Sequence, residues 1–397
     1  MTWYPRRAAA VLFALPVLLA AACSAPAAAP PAPSGPSVQG CVPGAQAPAG
    51  DVAFSHATNV RITGADGYRV LTVAQPFPGG RPQSVVLVGC GDPAPVLPAA
   101  LAQAPVVRTP VSGVFAASTT QLPMLTELGA LDRITGVGGL ALVTDPAVRG
   151  RVTSGAATEF APNGTLDAEA VVAAAPPVVL SAGTDDAALP ALSAAGIPVV
   201  GWADYLENGP LGQAEWIKVV GALTGQDARA AEIFAGIATR YDDLAGRVRG
   251  LAPVPAVAGQ PYQGTWNVPA AGSTAGILLR DAGATWLGAA VPGTGTQERS
   301  LEQVLAQDGD APVWLADGPF ATTADVAALD PRLTALAAVR SGGLWTRDRA
   351  TTPEGGNALY ERGALHQDEI LADLVAILHP QVLPGHVFTY YRQVPTG

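Results

Sequence analysis

Lysine is nearly missing from this chain. Lys218 is the only one in 397 residues, and Lys and Arg together number 22 against 32 Asp and Glu. The formal charge of −10 leaves no basic footprint for a nucleic acid, so nucleic-acid binding is excluded as a reading. Charged residues make up only 14% of the sequence, but 49% is hydrophobic, enough to fill a core despite the load of Ala, Gly and Pro. Catalytic signatures are missing as well. There is no Gly-x-Ser-x-Gly elbow (in Gly272-Ser-Thr-Ala-Gly276 the serine stands one place early), no His-Glu-x-x-His and no phosphate-binding loop. Histidine is scarce: His56 lies in an N-terminal strand-rich region, and His366, His379 and His386 lie near the C-terminus. A bare-metal site would draw His and carboxylate ligands from both halves of the chain, so no metal ligand and no catalytic residue is assigned.

Cysteine is sparing too, at Cys23, Cys41 and Cys90. Arg6 and Arg7 precede an apolar run from Ala8 to Ala22, short for a membrane span and right for a secretory signal. The run ends in Ala20-Ala21-Ala22-Cys23, similar to a lipobox whose cysteine is acylated, although Ala20 stands where Leu, Val or Ile is usual. This reading makes 1–22 a lipoprotein signal peptide, Cys23 the lipidation site and 23–40 a flexible tether. The protein is then extracytoplasmic, anchored by lipid to the outer face of the cytoplasmic membrane. In that oxidising space Cys41 and Cys90 form an even pair, and a disulfide is favoured over a metal pair that lacks further cysteines.

At 397 residues the chain is long enough for two domains. Ile233, Phe234, Ile237, Tyr241, Leu244 and Val248 recur at steps of three and four, the stripe of one long amphipathic helix. Thr224 and Asp227 read as its capping box, and Arg247, Arg249, Gly250 and Pro253 as its stop. A helix of about 25 residues would be roughly 37 Å long, enough to run along two domains. The chain on its two sides is similar. Leu125–Ala130 and then 166–183 are echoed by Leu278–Ala284 and then 300–318: a helix ending near Gly, then a short acidic-capped helix running into an apolar strand.

From Val52 to Cys90 the β-branched alternation reads as an antiparallel meander, with strands at 59–63, 68–74 and 84–89. Beyond it, strands alternate with helices, which gives parallel sheets with helices on their faces. The fold class is therefore α/β: two Rossmann-like lobes, 41–223 (with the meander in 41–100) and 251–397, joined by the helix at 224–250. Ligands of such sheets lie beyond the carboxyl ends of the strands, here Ser118–Gln121, 138–140, 183–186, 202–207 and the loop 260–269.

Taken in order, several features carry a family resemblance. These are the lipobox, the meander ending in Cys90, Ser118-Thr-Thr-Gln-Leu122, Leu128-Gly-Ala-Leu-Asp-Arg-Ile-Thr-Gly-Val137, Ala214-Glu-Trp-Ile-Lys218, Pro261-Tyr-Gln-Gly-Thr-Trp266 and Leu371-Ala-Asp-Leu-Val-Ala-Ile-Leu-His-Pro380. From about Cys41 to Arg392 the chain resembles the class III periplasmic binding proteins, in the branch serving ABC importers of iron–siderophore complexes and cobalamin. The resemblance implies a clamp with little hinge motion, a monomer, no resident cofactor, and as partners a small-molecule ligand, an ABC permease and its ATPase. It also implies an acidic residue at each lobe tip that pairs with permease arginines. Glu169 and Glu302 begin equivalent helices, with Asp185, Asp186 and Asp325 as rivals.

Large, partly flat and often anionic ligands suit aromatic faces and arginines. The expected ligand residues are thus Tyr205, Tyr262, Trp266, Arg347, Arg349 and Tyr360, with Thr119, Gln121, Gln263 and Asn357 as polar contacts. Tyr262 and Trp266 stand out, in a polar, Gly-containing loop at a strand end. The expected function is delivery of an iron–siderophore-type ligand, with cobalamin or haem as the alternative cargo. A secreted two-domain hydrolase is the alternative of another class, and needs a nucleophile–base pair between the lobes.

Overall fold

Strands Val60–Ala65, Tyr68–Val73 and Gln83–Gly89 form the expected antiparallel meander in the computed structural model of the chain, which describes residues 40–43 and 49–396. The signal peptide, Cys23 and the tether up to position 39 lie outside the described residues. The meander gains a fourth strand, Val106–Thr109, paired parallel to Gln83–Gly89 and lying beyond the expected meander range of 41–100. Cys41 and Cys90 are joined in a disulfide. It fastens the start of the described chain to the end of the third strand.

The first lobe is a five-stranded parallel sheet in the order Thr158–Glu159, Ile134–Val137, Val114–Ala116, Val179–Leu180, Val199–Val200. Apart from the polar edge strand Thr158–Glu159, its strands are short, largely apolar and buried, as strands covered on both faces must be. Alternation sends Val114, Ala116, Leu180 and Val200 into the main core. Phe115, Val179 and Val199 point the other way, into a smaller cluster with Phe160 and Leu192. Between Val137 and Gly164 the chain forms a helix, Pro146–Thr153, and the edge strand Thr158–Glu159. Asp145 caps that helix and Pro146 opens it, but Gly150 and two arginines hide any apolar stripe.

The second lobe orders its strands Ala284–Thr285, Val254–Ala258, Val313–Ala316, Leu344–Thr346, all parallel, with Arg392–Gln393 as an antiparallel edge. The expected loop 260–269 is a hairpin, Pro261–Tyr262 with Thr265–Pro269, extended by Thr296–Arg299 into a small sheet of its own. Gly259 makes the turn into it at φ +81°, where a side chain would press on the carbonyl of Asn267.

Helix Asp227–Val248 stands between these sheets in the chain; at 22 residues it is about 33 Å long. It packs Ala230, Phe234, Ile237 and Tyr241 against helix Ile217–Thr224 on one side and helix Gln367–Leu378 on the other. Tyr241 donates to Asp281 and Arg240 to Asp368, tying the helix to the second lobe. Arg69 of the meander pairs with Asp227 at 2.6 Å. The expected capping box does not form. Gly225 in the left-handed region ends the preceding helix, and Thr224 donates back to Val220. The first lobe's last helical stretch also breaks in two, Pro210–Ala214 and Ile217–Thr224.

The candidate ligand-binding cleft

In both sheets the first strand lies inside, with the second strand on one flank and later strands on the other. That strand order opens a crevice at the carboxyl ends. The two crevices face a common cleft. Thr120, Ala258–Gly259, Asp317 and Arg347, each just past a strand end, line its inner part, a cavity of about 340 Å³. Leu278, Leu279, Leu315, Ile370 and Leu374 make that part largely apolar. An outer part of about 480 Å³ shares Tyr205, Asp317 and Arg347 and is lined by Asn208, Asn267, Ser273, Thr294 and Thr296. An apolar part adjoining one with more polar side chains suits a ligand larger than an amino acid or simple ion.

Charge in the cleft is balanced. Arg347 Nη2 lies 2.9 Å from Asp317 Oδ1, and its guanidinium sits 5.2 Å from the centre of the Tyr360 ring. Burial works against the charge of Arg347, but Asp317 and then Tyr360 and Tyr391 outweigh it and raise its pKa. Burial in turn raises the Tyr360 hydroxyl against the pull of Arg347. Behind the cleft wall, Asp204 is buried and pushed up to about 6 by desolvation, which its hydrogen bonds from Gln213 and Thr120 only partly offset.

Two more buried acids lie close by in sequence but serve the fold. Glu207 accepts from Thr58 N at 2.7 Å, Asn59 N and Trp216 Nε1 at 2.8 Å. Glu215 accepts from Ser55, His56 and Ala57 backbone N–H groups and from Lys218 Nζ at 2.6 Å. Burial opposes the Glu215 charge, yet Lys218 and those N–H groups hold its pKa below the ordinary value. Together the pair pins Ser55–Asn59 onto the first lobe.

Of the expected ligand residues, Tyr205, Arg347 and Tyr360 line the cleft. The rest do not meet there. Trp266 is 1% exposed; it donates to Ala258 O at 2.9 Å and packs on Trp314, so its strand position turns it into the core. Tyr262, 63% exposed, lies on the hairpin outside the cleft lining, where it accepts from its neighbour Gln263. Gln121 is buried and donates to Ser181 O, while the preceding residue, Thr120, reaches the cleft. Thr119 lines a small groove of the first lobe instead. Asn357 donates to Arg347 O and accepts from Leu359 N, so it shapes the loop that carries Arg347 and Tyr360. Arg349 is exposed and off the cleft. Sequence reading missed Gln213, Gln367 and Asp317 as lining residues; only Asp317, ending an apolar strand, carried a signal.

Glu169 and Glu302 are each the second residue of a helix, Ala168–Ala174 capped by Asp167 and Leu301–Asp308 capped by Ser300. Both helices lead back to a parallel strand, so they begin on the side where the strands end. Glu169 is exposed, and Glu302 pairs with Arg332 at 2.6 Å. Asp325 completes a capping box with Thr322 and Asp186 accepts from Ala188 N, while Asp185 is exposed.

Among the described residues no group of three or more His, Cys, Asp or Glu could hold a metal ion, and no helix is long and apolar enough to cross a membrane. No histidine, cysteine or lysine lines the cleft. His366 meets Glu127 across the lobes at 3.1 Å, and its partners are carboxylates, with no hydroxyl or thiol among them.

The chain is 25% identical over 201 residues to an uncharacterized lipoprotein of Methanocaldococcus jannaschii, an alignment covering 50% of this chain and 47% of that protein. It thus spans about half the length of this curated relative. Three solved structures share its fold. A periplasmic haem-binding protein of Pseudomonas aeruginosa is 21% identical, with a TM-score of 0.53 over 72% of this chain and 99% of that one. Haem-binding HutB of Vibrio cholerae is 17% identical, with a TM-score of 0.51 over 65% and 98%. CeuE of Helicobacter pylori, solved with Ni(II) bound, is 16% identical, with a TM-score of 0.53 over 71% and 88%. A family model described as periplasmic binding protein matches residues 114–349, more than half of the chain, from the first strand of the first lobe to just past Arg347. The match takes in residues of both cleft walls, among them Tyr205, Asp317 and Arg347, and the chain belongs to the periplasmic binding protein family.

Proposed function

We propose that this protein is the extracytoplasmic solute-binding component of an ABC importer, carrying a bulky ligand of the iron–siderophore type to its permease. Its family is one of binding proteins rather than enzymes. The carrying observation is the interlobe cleft at the carboxyl ends of both sheets, largely apolar in one part, with more polar side chains in the other, and faced by Tyr205 and Tyr360. In this reading 41–223 and 251–397 are the jaws and the helix at 224–250 is the spacer. Acylated Cys23 holds a monomeric protein at the membrane behind the 23–40 tether, no cofactor is resident, and Glu169 and Glu302 dock on the permease and its ATPase assembly.

The balance of Arg347 by Asp317 favours a second cargo, an uncharged corrinoid, over strongly anionic ligands that would want unpaired arginines. Two of the similar structures are haem-binding by name, which keeps haem in the panel.

Ferrioxamine B, ferric enterobactin, haemin and cyanocobalamin are to be tested by tryptophan quenching and melting. A specific ligand at one hundred times its Kd stabilises the fold by about 2.7 kcal/mol. No response to any of the four, with no chromophore co-purifying by absorbance and mass spectrometry, would overturn the ligand class. Charge reversal at Glu169 and Glu302 together is expected to abolish uptake and leave ligand affinity unchanged.

A further inference from the structure

A chain of side-chain hydrogen bonds crosses the floor of the cleft from one lobe to the other. Asp204, 2% exposed, accepts at Oδ2 from Gln213 Nε2 at 3.1 Å. Gln213 Oε1 accepts from Gln367 Nε2 at 3.0 Å. Gln213 and Gln367 both line the inner cleft, and Thr120, which also hydrogen-bonds Asp204, lines it beside them. The far end of the chain, Gln367 Oε1, is buried with no hydrogen-bond partner in the protein.

The order of donors along this chain is not free. A carboxylate can only accept, so Gln213 must turn its NH₂ toward Asp204 and its carbonyl toward Gln367. Gln367 must then donate to Gln213, and its Nε2 also lies 3.4 Å from the Ala364 carbonyl, which leaves its own carbonyl as the unpaired end of the chain. A protonated Asp204 can donate instead, and both amides can turn over, giving up the longer Ala364 contact and leaving an NH₂ as the free end. We propose that Asp204 is a positioning residue that sets the hydrogen-bonding polarity of the cleft floor, acceptor when ionised and donor when protonated, through Gln213 and Gln367. Its consequence for ligand choice rests on the cleft being the ligand site; its geometry does not.

Asp204 titrates without a counter-ion among the described ion pairs. Tyr205 is the titratable neighbour on its own turn. Glu207 turns away to Thr58, Asn59 and Trp216. Glu215, beyond Gln213, is taken up by Lys218 and the Ser55–Ala57 backbone. The turn carrying Thr120 holds no charged residue between Ser118 and Gln121. On the facing helix Asp368 pairs with Arg240 and Glu369 with Arg362, while His366, beside Gln367, faces Glu127, Asp368 and Glu369; across the cleft Arg347 pairs with Asp317. Burial alone pushes the acid toward about 6, within reach of a mild titration.

The test needs no ligand. In the ¹⁵N-labelled full-length protein, the side-chain amide signals of Gln213 and Gln367, assigned by single Gln→Glu variants, are followed from pH 4.8 to about 7.5. Both signals are expected to move together with one midpoint, and in Asp204→Asn to stay fixed near their acid positions. Gln213→Met, which cuts the chain but leaves Asp204 in place, should abolish the Gln367 shift. Two static signals in the wild-type protein, or a Gln367 shift that survives Gln213→Met, would overturn the proposal. Because no ligand is present, such a failure is separate from any failure of the importer reading.

Discussion

A buried charge is tolerable only where its partners outnumber the water it lost, and Glu215 shows how that is arranged here. Five donors, four from Ser55–Ala57 and one from Lys218, surround one carboxylate. Glu215→Gln strips Lys218 of its partner in a niche with Phe54 and Phe234 and should destabilise the protein by about 3–5 kcal/mol in urea titrations. Because the folded carboxyl is held below its ordinary value, its stabilisation is full above about pH 4.3 and fades as pH falls toward the folded value. The same variant should therefore flatten the acid limb of the stability curve. In the cleft, Tyr360→Ala and Arg347→Ala are each expected to raise ligand Kd about tenfold or more, about 1.4 kcal/mol, by calorimetry. Residue-level reading succeeded where chemistry and chain position agreed, as at Arg347 and Tyr360. It misplaced Gln121 by one residue, because the turn at Thr119–Gln121 buries the glutamine and offers the threonine.

Elements decide which face a good residue shows. Trp266 and Tyr262 looked alike in sequence as aromatics in one polar loop, but the loop is a hairpin whose pleat buries Trp266 and leaves Tyr262 out. Trp266→Ala should cost about 3–5 kcal/mol of stability, whereas Tyr262→Ala should stay within about 0.5 kcal/mol. Chemical denaturation of the two variants separates these outcomes. The alternation of strands and helices was legible, and the meander strands Val60–Ala65, Tyr68–Val73 and Gln83–Gly89 lie within a residue or two of where the β-branched alternation predicts them. The helix Pro146–Thr153 was not legible, since its cap signal lacks an apolar stripe behind it. Removing the Cys41–Cys90 bridge by Cys90→Ser should lower stability by about 2–4 kcal/mol, read as a shift in the urea midpoint.

At the scale of the whole molecule, the jaws touch at more than the long helix. Glu361, buried on the second lobe, accepts from Thr144 N at 2.5 Å, Thr144 Oγ1 at 2.9 Å and Asp145 N at 3.0 Å on the first. Arg362 reaches Glu127 at 3.2 Å beside it. Glu361→Ala should loosen the jaws, seen as faster amide exchange at Thr144 and Asp145 with the strand amides unchanged. None of these contacts could be read in one dimension, because they join positions more than 200 apart.

The solitary lysine has a practical corollary. Its ammonium is held between Glu215 and the carbonyl of Ala53, under two phenyl rings. Reagents that couple to primary amines therefore find no side chain to attack while the fold is intact, and the extra succinimidyl labelling at Lys218, beyond any at an α-amino group, becomes a reporter of unfolding.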